Sequence, residues 1–269
     1  MTDRTTGLRL ASIHCYPLKS ARGHTLSDAV MDRFGIAGDR RWMLVDSAGR
    51  FHSQRRLPAL ALLDAAPRDG GLRLSWQGES IDVDQPSASG ECVIATVWED
   101  TVVAPLAAAA VNTWLSERLG EDLRLVYFPP TALRGVEPGY APSNQLLAFS
   151  DGYPLLVVCE ASLDALNERL ATPVAMDRFR PNLVISGAEA HAEDGWRRIR
   201  IGEAEVRLVK PCSRCAIPGI NQQTAERDPE VNRALAAYRR CDGVIYFGMN
   251  AVAATGDRFS VGDIVEVLV

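Results

Sequence analysis

Val209-Lys210-Pro211-Cys212-Ser213-Arg214-Cys215-Ala216-Ile217-Pro218-Gly219-Ile220 is a β-branched run that ends in two thiols, an arginine and a proline-glycine turn. Just upstream, Arg198-Ile199-Arg200-Ile201 and Glu205-Val206-Arg207-Leu208-Val209 flank Gly202-Glu203-Ala204, the pattern of a hairpin. Its second strand runs into the cysteines and so delivers a sulfur to a sheet edge. A Cys-x-x-Cys pair alone is read in several ways. A structural zinc site needs about four ligands, and beyond Cys212 and Cys215 the candidates Cys241, His191 and Cys159 are isolated. A thioredoxin-like redox pair sits where a strand meets a helix start, whereas Pro218-Gly219 follows here. Two buried, inert thiols are the plain alternative.

Short strands and turns continue outward from this stretch. Leu8 to Tyr16 alternates apolar and polar residues until Pro17 ends the pairing. Arg41 to Asp46 turns through Ser47-Ala48-Gly49 into Arg50 to Gln54, read as a hairpin, and Leu72 to Trp76 with Ser80 to Val83 reads as another. Leu123 to Phe128, Leu155 to Val158 and Asn182 to Ser186 read as strands, with Val261 to Val269 as a closing one. This pattern predicts a β-barrel or sandwich rather than alternating βα units. Helices are few. Pro105 to Leu119 places Val111, Trp114, Leu115 and Leu119 on one face and stops at Gly120. Ser162 is read as the cap of a helix carrying Leu163, Leu166 and Leu170, and Asp228-Pro229 opens a third helix ending near Arg240. Pro129 to Ser143 has no apolar period, so the expected division is an N-terminal domain over 1–128 and a second over 129–269.

Composition narrows the function. The chain has 269 residues, 47% of them hydrophobic, enough for a sizeable core. A formal charge of −5 gives no footprint for nucleic acid, so any anion site must be local. Six cysteines scattered over this length point to reduced thiols rather than a disulfide scaffold. Met1 to Gly7 lacks an apolar signal core, and no apolar run reaches the roughly 18 residues of a membrane span. The expectation is a soluble, cytoplasmic protein. Nucleophile elbows, Walker loops and dinucleotide glycine fingerprints are absent from the sequence.

Six blocks in order carry a resemblance: Tyr16-Pro17-Leu18-Lys19-Ser20, Gly38-Asp39-Arg40-Arg41-Trp42, Phe149-Ser150-Asp151, Phe179 to Gly187, Ala192-Glu193-Asp194-Gly195-Trp196 and Cys212-Ser213-Arg214-Cys215. Together they resemble the MOSC family (molybdenum cofactor sulfurase C-terminal domains) with its N-terminal β-barrel partner domain. Within it the chain is similar to the amidoxime-reducing and N-hydroxylaminopurine-reducing branches. The resemblance implies a mainly β fold with some α: a MOSC β-barrel domain, a smaller β-rich N-terminal domain, and a cofactor site between them. It further implies a molybdenum-molybdopterin cofactor and a detoxifying oxidoreductase that reduces N-hydroxylated or N-oxygenated small molecules.

Carried over position by position, the resemblance makes Cys215 the protein thiolate on the metal, with Arg214 beside it favouring the ionised thiol. Cys212 is taken as structural. Lys19, Ser20, Arg40 and Arg180 are the positions implied to hold the pterin phosphate, and Pro181, Asn182 and Ser213 supply further polar groups. Asp151 falls near the open face of the metal, where it either manages protons or caps the turn at Gly152. Trp42 and Trp196 are read as core aromatics and His191 as a solvated loop residue. With no cysteines after the closing strand, electrons are expected from a separate donor, a ferredoxin or cytochrome b5-type protein with an NAD(P)H reductase. No nucleic acid or membrane partner is expected. The rival reading is a cofactor carrier or sulfur-transfer protein without its own turnover.

Overall fold

The structure, a computed structural model, describes residues 7–269; Met1 to Thr6, part of the stretch read above for a signal core, lies outside the described residues. The hairpin that leads to the cysteines forms as Arg198–Ile201 paired antiparallel with Ala204–Ser213. The second of these strands pairs in turn with Val244–Thr255, its register shifting beside Pro211, which has no N–H to give the ladder. From there the sheet passes through Leu155–Cys159, Leu183–Ser186 and Arg9–Cys15 to His24–Leu26, and on the other side through Arg198–Ile201 to Val265–Val267. The Val265–Val267 end of this path comes back to Arg9–Cys15, the strand next to its other end. Leu10 N–H donates to the Asp263 carbonyl at 2.9 Å, Gly262 N–H to Leu10 at 2.8 Å, and Val265 N–H to Leu8 at 3.0 Å.

Alternation along the strands aims one side chain in two at the interior of this ring. Leu10, Ile13, Val157, Ile185, Ile199, Val206, Ala251 and Val265 are fully buried there. Leu155–Cys159 is buried at every residue because a second apolar layer covers its other face. Helices Glu160–Asn167 and Pro229–Tyr238 supply that layer, packing Leu166, Val231 and Leu235 against Leu156, Val158 and Phe247. Asp228 caps the second helix by accepting the Glu230 N–H at 3.0 Å. Helix Ala109–Leu119 begins after Pro105, the last residue of a strand, and ends at Gly120 with φ 70°. The protein is therefore mainly β with three α-helices among the described residues, none of them long and apolar enough to cross a membrane. Trp42 and Trp196 are buried, as expected of core aromatics.

Four local readings need correction. Trp42–Val45 pairs along its length with Arg124–Tyr127, and touches Phe51 to Gln54 only where the hairpin starts, the His52 N–H donating to the Leu44 carbonyl at 2.8 Å. The turn between survives because Asp46 accepts the Ala48 and Arg50 N–H groups, but only the Val45–Phe51 bridge follows it. The closing strand is shorter, Val265–Val267, preceded by a separate Arg258–Ser260. The helix read as starting at Ser162 begins at Glu160 with Cys159 as its cap, and the Ser162 hydroxyl instead bonds Glu193. His191 is packed rather than solvated: both ring nitrogens are buried without a partner, against Tyr238 and Phe247.

Glu193 is fully buried and held by the Ser162 hydroxyl and the Cys159 N–H. Burial pushes its carboxyl above the usual range, outweighing those bonds. A carboxyl raised on folding stabilises the fold below its unfolded pKa, and that contribution is lost as pH rises through the folded value. Thermal unfolding from about pH 5 to about pH 8 is thus expected to show wild type losing stability relative to Glu193→Gln, whose amide does not titrate. Parallel curves would mean that folding does not raise the Glu193 pKa.

Candidate functional site

The ring and the smaller N-terminal sheets meet along a cleft lined by Lys19, Ser20, Arg40, Asp151, Arg180, Asn182, Ser213, Arg214 and Cys215. Of the residues singled out in the sequence, only Pro181 does not line it. Its carbonyl sits behind the wall and accepts the Tyr16 hydroxyl at 2.9 Å.

Tyr16, not singled out by itself in the sequence, is the pillar of the cationic wall. Its buried ring lies 4.3 Å from the Arg40 guanidinium and 4.2 Å from that of Arg180. Gly23 lets the chain pass, since a Cβ there would lie 2.3 Å from the ring. Ser20, Arg40 and Arg180 all take left-handed φ values, 68°, 47° and 55°, an unfavourable choice for residues with a Cβ. Arg40 donates to Asp39 at 2.5 Å, to Asn182 Oδ1 at 3.0 Å and to the Arg180 carbonyl at 3.3 Å. The same Asn182 oxygen accepts the Leu156 N–H, and its amide nitrogen donates to the His14 carbonyl. Asn182 thus ties Arg40 to the sheet. Arg180 donates through Nη1 to the Ala21 carbonyl at 2.6 Å, while Nη2 is buried with no partner among the described residues. Burial, reinforced by the neighbouring Arg40 charge, pulls Arg180 down to about 10, still charged at neutral pH.

Asp151 is held at the cleft mouth by groups from both halves. The buried Lys19 ammonium donates to its carboxylate at 2.5 Å and to the Phe149 carbonyl at 2.7 Å. The Trp98 indole N–H donates to the same carboxylate oxygen at 2.9 Å. Buried Arg134 fastens the loop beneath by donating to the carbonyls of Ala148, Ser150 and Asp151, itself paired with Asp100. The Asp151 side chain is 65% exposed, so it faces the cleft. Crowding by protein opposes its ionisation, but the Lys19 charge and the two donors prevail and hold it well below the usual carboxylate range. At neutral pH it is an acceptor. Its side-chain bonds go to Lys19 and Trp98, not to the turn at Gly152.

The cysteine turn differs from expectation in one respect. Cys215 is exposed to the cleft, just past the end of strand Ala204–Ser213, and no hydrogen bond reaches its sulfur among the described residues. Arg214 turns instead to Cys212, with Nη1 3.1 Å from Sγ, and donates to the Phe179 carbonyl at 2.7 Å. The Phe179 carbonyl and the Phe179 ring, 5.5 Å away, draw the guanidinium back from Cys215. Cys212 is half-buried against the Phe179 and Phe247 cluster, the packed thiol that was expected. Arg214 Nε, like Arg180 Nη2, is buried without a partner.

Charge and donor inventory indicate what fits. Lys19, Arg40, Arg55, Arg180 and Arg214 line the cleft with Asp151 as its one acidic residue among the described residues, although the whole chain is negative. Two buried guanidinium nitrogens of this lining, Arg180 Nη2 and Arg214 Nε, lack acceptors among the described residues, which a bound anion would supply. Among the described residues no three His, Cys, Asp or Glu side chains converge on a point, so a zinc site of protein ligands is not built here. A single exposed sulfur above an unsatisfied cationic wall suits a metal that brings most of its own ligands on an anionic organic group. Besides Tyr16, sequence reading missed Trp98, Arg134 and the buried Gln54–Gln222 amide pair, through which Gln54 holds the Ser20 carbonyl at 2.8 Å.

Comparison with known proteins shows the family of the chain. The family model for the MOSC N-terminal beta barrel domain matches residues 7–122, and that for the MOSC domain matches 144–266. Mitochondrial amidoxime-reducing component 1 of Mus musculus is 31% identical over 245 residues, covering 87% of this chain and 72% of that protein. The Homo sapiens protein of the same name is 30% identical over 249 residues, with the same coverage. Molybdenum cofactor sulfurase of Oryza sativa subsp. japonica is 29% identical over 274 residues, covering 90% of this chain. The chain spans 32% of that longer relative.

Proposed function

Since the chain belongs to the family of MOSC-domain proteins with an N-terminal MOSC β-barrel domain, we propose that it is a molybdenum-cofactor oxidoreductase that reduces N-hydroxylated compounds. The observation that carries the reading is Cys215, exposed in the cleft beside a cationic wall with unsatisfied donors. When bound, the cofactor supplies the two-electron chemistry for cleaving an N–O bond. Cys215 offers it a soft thiolate. Lys19, Ser20, Arg40, Arg180 and Ser213 hold the phosphate and pterin, while Asn182 and Pro181 fix the wall behind them. Asp151, ionised and faced to the cleft, accepts a hydrogen bond from the N–OH group and orients it. Each turnover consumes two electrons and two protons and yields the parent nitrogen compound and water.

The electrons come from a separate protein, a ferredoxin or cytochrome b5-type donor with an NAD(P)H reductase. The word "component" in the relatives' name supports such a divided system. The six free cysteines suit a reducing cytoplasm, and clearing toxic N-hydroxylated metabolites is the role such an activity would serve. Holoprotein given reduced methyl viologen is expected to convert benzamidoxime to benzamidine with many turnovers per molybdenum. The similarity to the sulfurase favours a second reading, a carrier or sulfur-transfer protein. Molybdenum-loaded protein that never reduces an N-hydroxy compound, yet restores an apo-molybdoenzyme, would establish that reading instead.

A further inference from the structure

The two-residue turn between strands Cys92–Val97 and Asp100–Pro105 begins with Trp98. Such turns favour glycine, asparagine or aspartate where φ is positive, yet here a tryptophan takes φ 57° and stays 44% exposed. Its placement has a use at the cleft. The indole N–H reaches Asp151, the ring meets Phe51 at 5.4 Å, and the Arg55 guanidinium lies 4.4 Å from the indole. Phe51 and Arg55 line the same cleft as Asp151 and Cys215. A guanidinium stacked on an indole is itself flat and polarisable, so the cluster is a π-rich wall beside otherwise charged groups.

We infer that Trp98, Phe51 and Arg55 form a substrate subsite at the cleft mouth, which stacks the flat body of an aromatic or heteroaromatic N-hydroxy compound and aims its N–OH group at Asp151. This inference rests on the proposed reductase reading and names the substrate class of that site. The wall selects conjugated substrates over saturated ones of the same size, and it acts through binding, so the selectivity sits in KM rather than kcat.

The test compares benzamidoxime with cyclohexanecarboxamidoxime, which differ in the π face. Calorimetric binding to oxidised holoprotein is measured beside steady-state reduction with methyl viologen, for wild type, Trp98→Phe and Trp98→Ala. Wild type is expected to bind the aromatic compound about 3- to 10-fold more tightly. Trp98→Phe keeps a ring without the N–H and retains most of that preference, whereas Trp98→Ala abolishes it. No preference in wild type, or its loss in both variants, would overturn the subsite; the latter result would assign Trp98 to holding Asp151. The two readings fail separately. Turnover of both compounds without an aromatic preference sinks the subsite and leaves the reductase, while selective binding without turnover sinks the reductase alone.

Discussion

Cys215→Ser protein, made in a host that assembles molybdenum cofactor, is expected to lose most of its molybdenum and to reduce benzamidoxime at least about 100-fold more slowly than wild type. Removing groups that merely support a ligand costs 10- to 100-fold in metal affinity, and replacing the ligand itself should cost no less. Serine preserves the shape of the exposed turn but offers a hard, poorly ionised hydroxyl where a soft thiolate is wanted. Among the described residues this sulfur accepts no hydrogen bond and lies outside the apolar clusters. The variant should therefore unfold at the wild-type temperature, so that lost metal is not a folding defect. Cys212→Ser is the informative control. That sulfur is packed against Phe179 and touched by Arg214, so its replacement should cost some stability and leave molybdenum content near wild type. Full molybdenum content and turnover in Cys215→Ser would sink the assignment of Cys215 as the ligand.

What the sequence disclosed, and what it hid, follows from the range of the interactions. The hairpin feeding the cysteines was legible because alternation and a glycine turn are local. The Asp228-Pro229 cap was legible for the same reason. Trp42–Val45 was misassigned because its true partner, Arg124–Tyr127, lies far along the chain, whereas the turn at Asp46 is adjacent and real. Ser162 was mistaken for a cap because its partner Glu193 is 31 residues away. In the site, five of the six blocks pointed to residues that the fold brings to one cleft, while Ala192 to Trp196 packs elsewhere, and none pointed to the roles their neighbours impose. Arg214 turned to Cys212 because Phe179 holds it. Arg134 stood in a proline- and glycine-rich stretch without period, and no pattern marks an arginine whose carbonyl partners are set by loop geometry. Trp98 broke the usual turn chemistry, and that departure was the readable signal of its use.

Arg180→Met is expected to leave the stability of the cofactor-free fold within about 1 to 2 kcal/mol of wild type while cutting cofactor retention by roughly 10- to 100-fold. The opposing contributions to stability are similar in size. Methionine forfeits the bond to the Ala21 carbonyl, leaving that buried oxygen unsatisfied at a cost of about 1 to 3 kcal/mol, and the contact with Tyr16, worth about 0.5 to 2 kcal/mol. Against this, it removes a buried charge that faces Arg40 and carries a donor with no acceptor. Uncompensated buried charge is costly, and replacing it with an apolar chain of similar length often costs nothing net. Binding has no such offset. A guanidinium already desolvated and missing a partner gains a charge-assisted bond when a phosphate arrives, and that gain vanishes with the side chain. Arg180→Lys keeps the charge but loses the fork, so it should recover part of the retention. Thermal unfolding of cofactor-free protein, paired with molybdenum content after identical expression, separates the two effects. A loss of several kcal/mol with normal molybdenum would show that Arg180 serves the fold rather than the ligand. The expected result, ordinary stability with lost retention, would mean that the left-handed backbone and buried charge at Arg180 are maintained for the anion.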